Sequence, residues 1–174
     1  KLTIVTPSWN GERFIREAVE SITQQRYPDL EHIVFDAGST DNTLALLAQS
    51  PNVLVHSEPD RGIYDALNKG IRMASGDVVG FLHADDEFAS ERSLERIARA
   101  FEDPAVEAVY GDLVYVREED PSRVVRYWRA GTCSRDQLAN GWMPPHPTFY
   151  VRRAVYERCG VFDTRYKIAA DYDN

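Results

Sequence analysis

The sequence predicts an α/β protein with a mostly parallel central sheet and a smaller mixed or antiparallel second part. Apolar, β-branched runs alternate with helix-like periodicity four times over residues 1–103, which indicates parallel strands joined by right-handed crossover helices. Polar clusters follow each apolar run, as they do at the carboxyl ends of parallel strands. From about residue 106 the pattern changes to short runs of alternating polarity, which are typical of antiparallel strands.

Four strand–helix units are expected in the first half of the chain. The strands are predicted at residues 2–6, 31–35, 52–57 and 78–82, where β-branched and apolar residues concentrate. The helices are predicted at about residues 14–22, 42–48, 63–74 and 90–101, where apolar residues recur at spacings of three and four. Pro7 is expected to end the first strand. The second helix is expected to bury Leu44, Leu47 and Ala48, and Ser90 to cap the fourth.

The second half of the chain is expected to add strands at residues 106–116, 123–129 and 148–151 and short helices at 134–140 and 153–159. A proline-rich loop is expected at residues 141–147. Because no repeat or low-complexity linker interrupts the chain, residues 1–174 are predicted to form one domain with halves 1–103 and 104–174. The second half is expected to be truncated, because the sequence ends without a helix stop signal.

Composition narrows the range of partners. The chain has 174 residues, of which 43% are hydrophobic and 28% charged, as in a soluble globular domain. A formal net charge of −8 argues against nucleic acid as a partner, although a metal ion could still bridge the protein to a nucleotide. Cys133 and Cys159 lack metal-site spacing and are expected to be plain thiols. No apolar run reaches the length of a transmembrane helix.

The most informative stretch is residues 78–87, an apolar run that stops at three adjacent carboxylates. Carboxylates are costly to bury unless they are paired or bound to metal, so they are expected in a cleft at the end of the strand. Hard oxygen ligands favour Mg²⁺ or Mn²⁺, ions that commonly hold substrate phosphates. The central hypothesis is that Asp86, with Asp85, holds such an ion against a diphosphate. The alternative is a solvated acidic turn before a helix.

No glycine-rich phosphate loop of the P-loop or G-x-G-x-x-G type is present, which favours a metal ion as the counter-charge for a phosphate. Asp36, at the end of a strand, either contacts a base or ribose or caps its own turn. Arg61, just before a helix, either contacts a phosphate or is a surface residue. His146, between prolines, either lines an acceptor pocket or is structural. Asp171 either acts as a base, if partly buried, or has no special role.

An ordered set of motifs resembles family 2 glycosyltransferases of the GT-A fold. In the first half these are TPSWN at 6–10, DAGSTDNT at 36–43, DRGIYDALNKG at 60–70, ASGD at 74–77 and FLHADD at 81–86. In the second half they are PHPTFY at 145–150, GVFD at 160–163 and ADYD at 170–173. The resemblance spans nearly the whole chain.

This resemblance implies a three-layer α/β/α GT-A fold and inverting transfer of a sugar from a nucleotide-diphosphate sugar, with UDP-sugar as the favoured donor. Residues 1–103 would be the nucleotide-sugar-binding half and residues 104–174 the acceptor-side half. The implied roles are Pro7, Trp9 and Asp36 at the base and ribose, Asp85 at the ribose or a metal-bound water, Asp86 on Mn²⁺ or Mg²⁺, and Asp171 as the general base. The implied acceptor is a saccharide or lipid-linked saccharide. The implied location is the cytoplasm, including the inner membrane face.

Two positions depart from the family pattern. Ala37 replaces an acid that often follows Asp36, and Ala170 replaces a Glu that often precedes the base. Two other functions are kept in view. One is a Mg²⁺-dependent phosphatase with Asp36 as nucleophile, although Gly38 stands where a second Asp is usual. The other is a non-catalytic nucleotide- or sugar-binding module.

Overall fold

A computed structural model of the protein describes residues 1–166 and 170–173. The first half contains β1 (Leu2–Ser8), α1 (Ile15–Thr23), β2 (Leu30–Asp36), α2 (Thr43–Leu47), β3 (Val53–Ser57), α3 (Ile63–Met73), β4 (Val78–Phe81) and α4 (Ser93–Ala100). The second half contains β5 (Ala108–Val109), β6 (Leu113–Arg117), β7 (Asp120–Trp128), α5 (Arg135–Ala139), a 3₁₀ turn (His146–Thr148), β8 (Tyr150–Arg152), α6 (Arg153–Cys159) and α7 (Ala170–Asp173).

The central sheet has the strand order β3-β2-β1-β4-β8-β5. The first four strands are mutually parallel, whereas β8 runs antiparallel to both β4 and β5. Strands β6 and β7 form a separate antiparallel hairpin. The predicted fold class, a mostly parallel sheet with a smaller antiparallel addition, is therefore confirmed.

The core lies on both faces of the sheet, because successive strand residues point to opposite sides. On one face, residues such as Val5 and Phe81 pack against α3 and α6. On the other face, residues such as Ile4 and Val78 pack against α1 and α4. Helices α1, α3 and α4 turn apolar stripes inward, and burying these stripes is the main favourable term for folding. This arrangement gives the three layers expected of the fold.

Four local expectations were wrong. The stretch 106–116 forms two strands rather than one, β5 in the central sheet and β6 in the hairpin. Strand β1 continues through Pro7 to Ser8, because Pro7 lies where β1 pairs with β2 but no longer with β4, which pairs only as far as Val5. Helix α4 begins at Ser93, two residues later than a cap at Ser90 predicts. Helix α2 buries Thr43 and Leu47, whereas Leu44 and the following Ala48, both expected to be buried, are exposed.

Thr43 is drawn inward by polar contacts that its local sequence does not reveal. Its hydroxyl donates to Asp41 Oδ1 at 2.5 Å and accepts from the Gly11 amide at 2.8 Å. These bonds tie α2 to the loop after β1 and rotate its surface away from the predicted stripe. Helix propensity and spacing are weak constraints on a five-residue helix, so tertiary hydrogen bonds decide which side is buried.

Strand β8 can join the sheet because β4 carries a glycine opposite a large ring. Gly80 pairs with Tyr150, and a Cβ on Gly80 would overlap the fully buried Tyr150 ring. The glycine thus lets β8 lie flat against β4.

Among the described residues, no helix is both long and apolar enough to cross a lipid bilayer.

The first prediction concerns this contact. Gly80→Ala should lower the free energy of unfolding by about 1–3 kcal/mol, because the ring or the backbone must move to accommodate a methyl group. Gly111→Ala is the matched control, since a Cβ there meets nothing within 4 Å. Urea unfolding of both variants measures the difference. Equal stabilities would show that the Gly80–Tyr150 contact imposes no constraint.

The second prediction concerns His32, which is buried on β2 and hydrogen-bonds Thr6 at 3.0 Å. Burial lowers the pKa of His32 from 6.5 to about 3, so the folded state holds the neutral ring. The unfolded chain takes up a proton below pH 6.5, so stability falls as the pH drops from about 6.5 toward 3. Between pH 7 and 5 the loss should be about 2 kcal/mol.

Urea unfolding at both pH values measures the total loss, and His32→Gln should reduce it by about that amount. His146, whose pKa is lowered by burial to about 4, contributes a separate loss that His32→Gln leaves in place. An undiminished wild-type loss in His32→Gln would assign the effect to other groups.

Candidate active site

The polar side chains that the sequence singled out gather at one edge of the sheet. Strands β1 to β4 are parallel, so their carboxyl ends open on the same side. Strand β8 enters from that side, because it pairs antiparallel with β4. The Pro145–Thr148 segment, just before β8, is therefore brought next to the residues that follow β4.

A cleft of about 350 Å³ opens beyond β1 and before α3. This volume is in the range of small-molecule and cofactor sites. Its lining residues are Pro7, Ser8, Trp9, Ala37, Asp60, Gly62, Ile63 and Ala66. Trp9 is 70% exposed, so its ring is available to stack against a flat ligand. The cleft thus has an apolar wall with Asp60 at its polar end.

Asp36 is buried and organises the loop after β2. Its Oδ2 accepts from the amides of Gly38 at 3.1 Å and Ser39 at 2.9 Å, and from the Ser57 hydroxyl at 2.7 Å. Its Oδ1 accepts from the Ser39 hydroxyl. Asp36 is 1% exposed, and it does not line the described cleft. Base or ribose contact by Asp36 stays a prediction, whereas a nucleophilic role would require an accessible carboxylate oxygen.

Arg61 lies on the surface at the start of α3. Its side chain is 81% exposed, its amide donates to Asp65 Oδ2 at 3.1 Å, and its guanidinium lies 3.6 Å from Asp65 Oδ1. Asp65 also lies 3.7 Å from Lys69 Nζ. Arg61 is not among the residues that line the cleft, so phosphate contact by its side chain stays a prediction.

The acidic run after β4 divides between two surfaces. Asp85 is exposed and Asp86 is half-buried, and the Asp86 amide donates to the His83 carbonyl at 3.1 Å. Glu87 instead lines a separate depression of about 280 Å³, together with Glu17 and residues 88–91, which precede α4. Only two of the three carboxylates are therefore candidates for one shared ligand.

Asp86 is a carboxylate whose charge lacks full compensation. Burial raises its pKa, the charge of Asp85 raises it further, and His83 opposes both effects. Within residues 1–166 and 170–173, neither Asp85 nor Asp86 forms an ion pair with a Lys or Arg. A bound cation would supply the missing charge, because buried carboxylates are normally paired or metal-bound.

The donor set fits Mg²⁺ or Mn²⁺. No three His, Cys, Asp or Glu side chains of the described chain form a ready metal cage. Mg²⁺ commonly takes only one or two protein carboxylates and completes its shell with water and substrate phosphates. Asp85 and Asp86 provide that number of hard oxygen ligands, so they fit the ion that the family resemblance implies.

Asp171, on α7, lies in a cluster of aromatic side chains. Its Oδ1 accepts a hydrogen bond of 2.8 Å from the Tyr64 hydroxyl, and its Oδ2 lies 3.8 Å from His146 Nδ1. The side chain of Asp171 is 16% exposed, so it is largely but not fully removed from water. A carboxylate in such a position can accept a proton from a ligand at the cleft edge.

His146 lies at the centre of the same cluster. Its ring stacks on Phe81 with centroids 5.4 Å apart, meets Phe162 edge-on at 5.9 Å, and lies 5.6 Å from the His83 ring. Burial lowers the pKa of His146 to about 4, with help from His83 and against the effect of Asp171. His146 is therefore neutral at neutral pH. The His146 ring contacts both His83, which follows β4, and Asp171. His146 can therefore serve as a packing residue and also line an acceptor pocket.

Sequence reasoning missed two side chains of α3 that face this cluster. The Tyr64 hydroxyl donates a hydrogen bond to Asp171. The side-chain amide of the buried Asn68 donates to the Phe162 carbonyl at 2.8 Å and accepts from the Phe162 amide at 3.0 Å. The available signal was the spacing of the two residues, one helical turn apart, with polar atoms next to an apolar stripe. The sequence alone does not show which distant segment they contact.

The three-layer fold, the cleft at the carboxyl edge of the sheet and the carboxylates around it place the chain in the class of GT-A α/β proteins. The sequence identifies the family directly, because the model of glycosyl transferase family 2 matches residues 3–164. The chain belongs to that family.

Curated relatives cover nearly all of this chain. A PGL/p-HBAD biosynthesis glycosyltransferase of Mycobacterium tuberculosis is 30% identical over 177 residues, which cover 98% of this chain and 66% of that protein. A glycosyltransferase of Nostoc sp. without an assigned role is 29% identical over 188 residues, which cover 98% of this chain and 57% of that protein. The chain thus spans only part of the length of these relatives.

Solved structures confirm the GT-A fold. S. aureus TarS 1-349 in complex with UDP-GlcNAc superposes with a TM-score of 0.77 at 20% identity, covering 99% of this chain and 51% of that chain. The mannosyltransferase PcManGT from Pyrobaculum calidifontis, in complex with GDP-Man and Mn²⁺, gives a TM-score of 0.71 at 25% identity, covering 94% and 47%.

Proposed function

We propose that this chain forms the catalytic part of an inverting glycosyltransferase that moves a sugar from a nucleotide-diphosphate sugar to a hydroxyl acceptor. Membership of glycosyl transferase family 2 supports the reaction class. The observation that carries the proposal is the position of Asp171. Its carboxylate is hydrogen-bonded to Tyr64 and lies beside His146, which contacts His83 on the approach to Asp85 and Asp86.

The proposed donor site is the cleft between β1 and α3. Pro7 and Trp9 offer apolar surface to the nucleobase, and Asp36 holds the adjoining loop in shape. Arg61 and Asp85 lie further along the same edge and would reach the diphosphate and the ribose. A UDP-sugar is the donor we favour, and UDP-GlcNAc is the nucleotide sugar in the TarS complex. A GDP-sugar, as in the PcManGT complex, is the competing donor.

In the proposed reaction the acceptor hydroxyl attacks the anomeric carbon opposite the leaving diphosphate, which inverts the configuration there. Asp171 takes the hydroxyl proton. Asp86, helped by Asp85, would hold Mn²⁺ or Mg²⁺, which when bound acts as a Lewis acid on the departing diphosphate. His146 and the aromatic rings packed on it shape the acceptor side.

The proposed acceptor is a saccharide or lipid-linked saccharide used in cell-surface polysaccharide synthesis. The naming of a mycobacterial relative for PGL/p-HBAD biosynthesis supports a role in glycan assembly. The reaction would then take place in the cytoplasm, with the protein free or associated peripherally with the inner membrane face.

The third prediction tests the metal site. Asp86→Ala should remove the Mn²⁺-dependent part of UDP or GDP binding and abolish sugar transfer, because the diphosphate then lacks its counter-charge. Glu87→Ala is the matched control, since this neighbouring carboxylate faces a different depression. Titration calorimetry with and without EDTA measures the effect. Identical nucleotide affinities in all these conditions would remove the metal from the proposal.

The fourth prediction tests the base. Asp171→Asn should lower turnover by about 10²–10⁴-fold, because a positioned general base contributes that much, while donor affinity stays unchanged. The exposed Asp103 provides the control variant Asp103→Asn. Turnover is followed as release of nucleoside diphosphate from the donor. Full turnover in Asp171→Asn would place the base elsewhere.

A further inference from the structure

Helix α3 links the donor cleft to the cluster around Asp171. Ile63 and Ala66 line the cleft, whereas Tyr64 and Asn68 reach the segment that contains Phe162 and Asp171. At 100° per residue, the first pair and the second pair lie on different faces of one helix. One rigid element therefore forms a wall of the cleft and contacts the Asp171 carboxylate.

Asn68 fixes the position of the segment on the far side of α3. Its side-chain amide makes a reciprocal pair of hydrogen bonds with the backbone of Phe162, at 2.8 and 3.0 Å, and it is buried. A two-point contact of this kind restrains both distance and orientation. The Phe162 ring packs against Tyr64 with centroids 5.5 Å apart, so the Tyr64 ring is held before its hydroxyl makes any contact.

The two oxygens of Asp171 have different surroundings. Oδ1 accepts the 2.8 Å hydrogen bond from Tyr64, a good length for an O–H donor and a carboxylate. Oδ2 lies 3.8 Å from His146 Nδ1, which is beyond hydrogen-bond distance. The titratable groups described around Asp171 are Tyr64 and His146, with His83 beyond the His146 ring.

We propose that Tyr64 is the positioning residue for the base, and that its bond to Oδ1 reserves Oδ2 of Asp171 as the proton-accepting atom. This inference rests on the proposed function, in which Asp171 is the base. The acceptor O–H bond breaks, and its proton goes to Oδ2. Its electron pair forms the bond to the anomeric carbon while the bond from that carbon to the diphosphate breaks.

Tyr64 keeps its own proton throughout. Burial and the hydrogen bond to Asp171 both raise the pKa of Tyr64, so the phenol remains a donor across the physiological range. The phenol stabilises the charged carboxylate and fixes its rotation. It therefore acts on the rate through Asp171 and has no contact with the substrate in this scheme.

The test is Tyr64→Phe, which removes the hydroxyl and retains the ring. Hydrolysis of UDP-GlcNAc or GDP-mannose with Mn²⁺, with water as acceptor, should show a kcat lowered about 10- to 100-fold, the effect expected of a lost hydrogen bond to a charged group. Donor affinity, measured by calorimetry, should be unchanged.

Tyr156→Phe is the matched control, because the Tyr156 ring packs on the same Phe162 with centroids 6.3 Å apart. This variant should retain the wild-type kcat and donor affinity. An equal loss in both variants would assign the effect of Tyr64 to packing and overturn the inference. A double-mutant cycle adds a second criterion: in an Asp171→Asn background, Tyr64→Phe should cause no further loss, and a full additional loss would also overturn it.

A titration that uses no substrate separates this inference from the proposed function. In protein with isotope-labelled tyrosines, the Tyr64 phenol should titrate at lower pH in Asp171→Asn than in the wild type, because one cause of its raised pKa is gone. An unchanged titration would refute the Tyr64–Asp171 contact, even in a preparation that hydrolyses no donor. A lowered titration together with full turnover in Asp171→Asn would retain the contact and reject Asp171 as the base.

Discussion

The contact between Tyr150 and the backbone of β4 at Gly80 is the constraint on which the rest of the arrangement depends. Only an absent Cβ lets β8 pair closely enough to continue the sheet. Because β8 runs against β4, the segment before it returns to the edge where the parallel strands end. That return places His146 on Phe81 and next to His83. A packing requirement in the core thus determines which side chains meet at this edge of the sheet.

Electrostatics at this edge follow from burial rather than from the number of charges. The chain carries a formal charge of −8, yet Asp36 is satisfied by its own loop, Asp65 has Arg61 and Lys69 as partners, and Glu87 faces another depression. Asp86 combines partial burial with a neighbouring carboxylate, so protonation becomes easier there. A bound cation would compensate the same negative charge while Asp86 stays unprotonated. Burial therefore distinguishes Asp86, the proposed metal ligand, from the other acidic groups.

Much of the fold could be predicted because its signals are local. The apolar stripe of α3 and the end of β4 before Asp85 were placed within one or two residues, since periodicity and a sharp change in polarity mark both. The pairing of β8 with β4 was not predicted, because nothing local encodes a register between strands about 70 residues apart. The same limit hid the role of Tyr64, which the sequence presents only as a residue near the start of a helix. Asp36 was expected either to cap its turn or to bind a ligand, and its hydrogen bonds show that it makes the turn.

Within the part of the chain that the structure describes, the β6–β7 hairpin contributes no residue to the core on either face of the sheet, and several of its apolar residues, including Val124 and Tyr127, are exposed. Arg126 lies over the rings of Tyr115 and Trp128, so part of its cohesion comes from contacts within the hairpin itself. Changes in the length or composition of the hairpin should therefore have little effect on the stability of the central sheet. Such a hairpin can accept substitutions and insertions while the central sheet stays the same. Related proteins with this fold can therefore differ from one another in the hairpin.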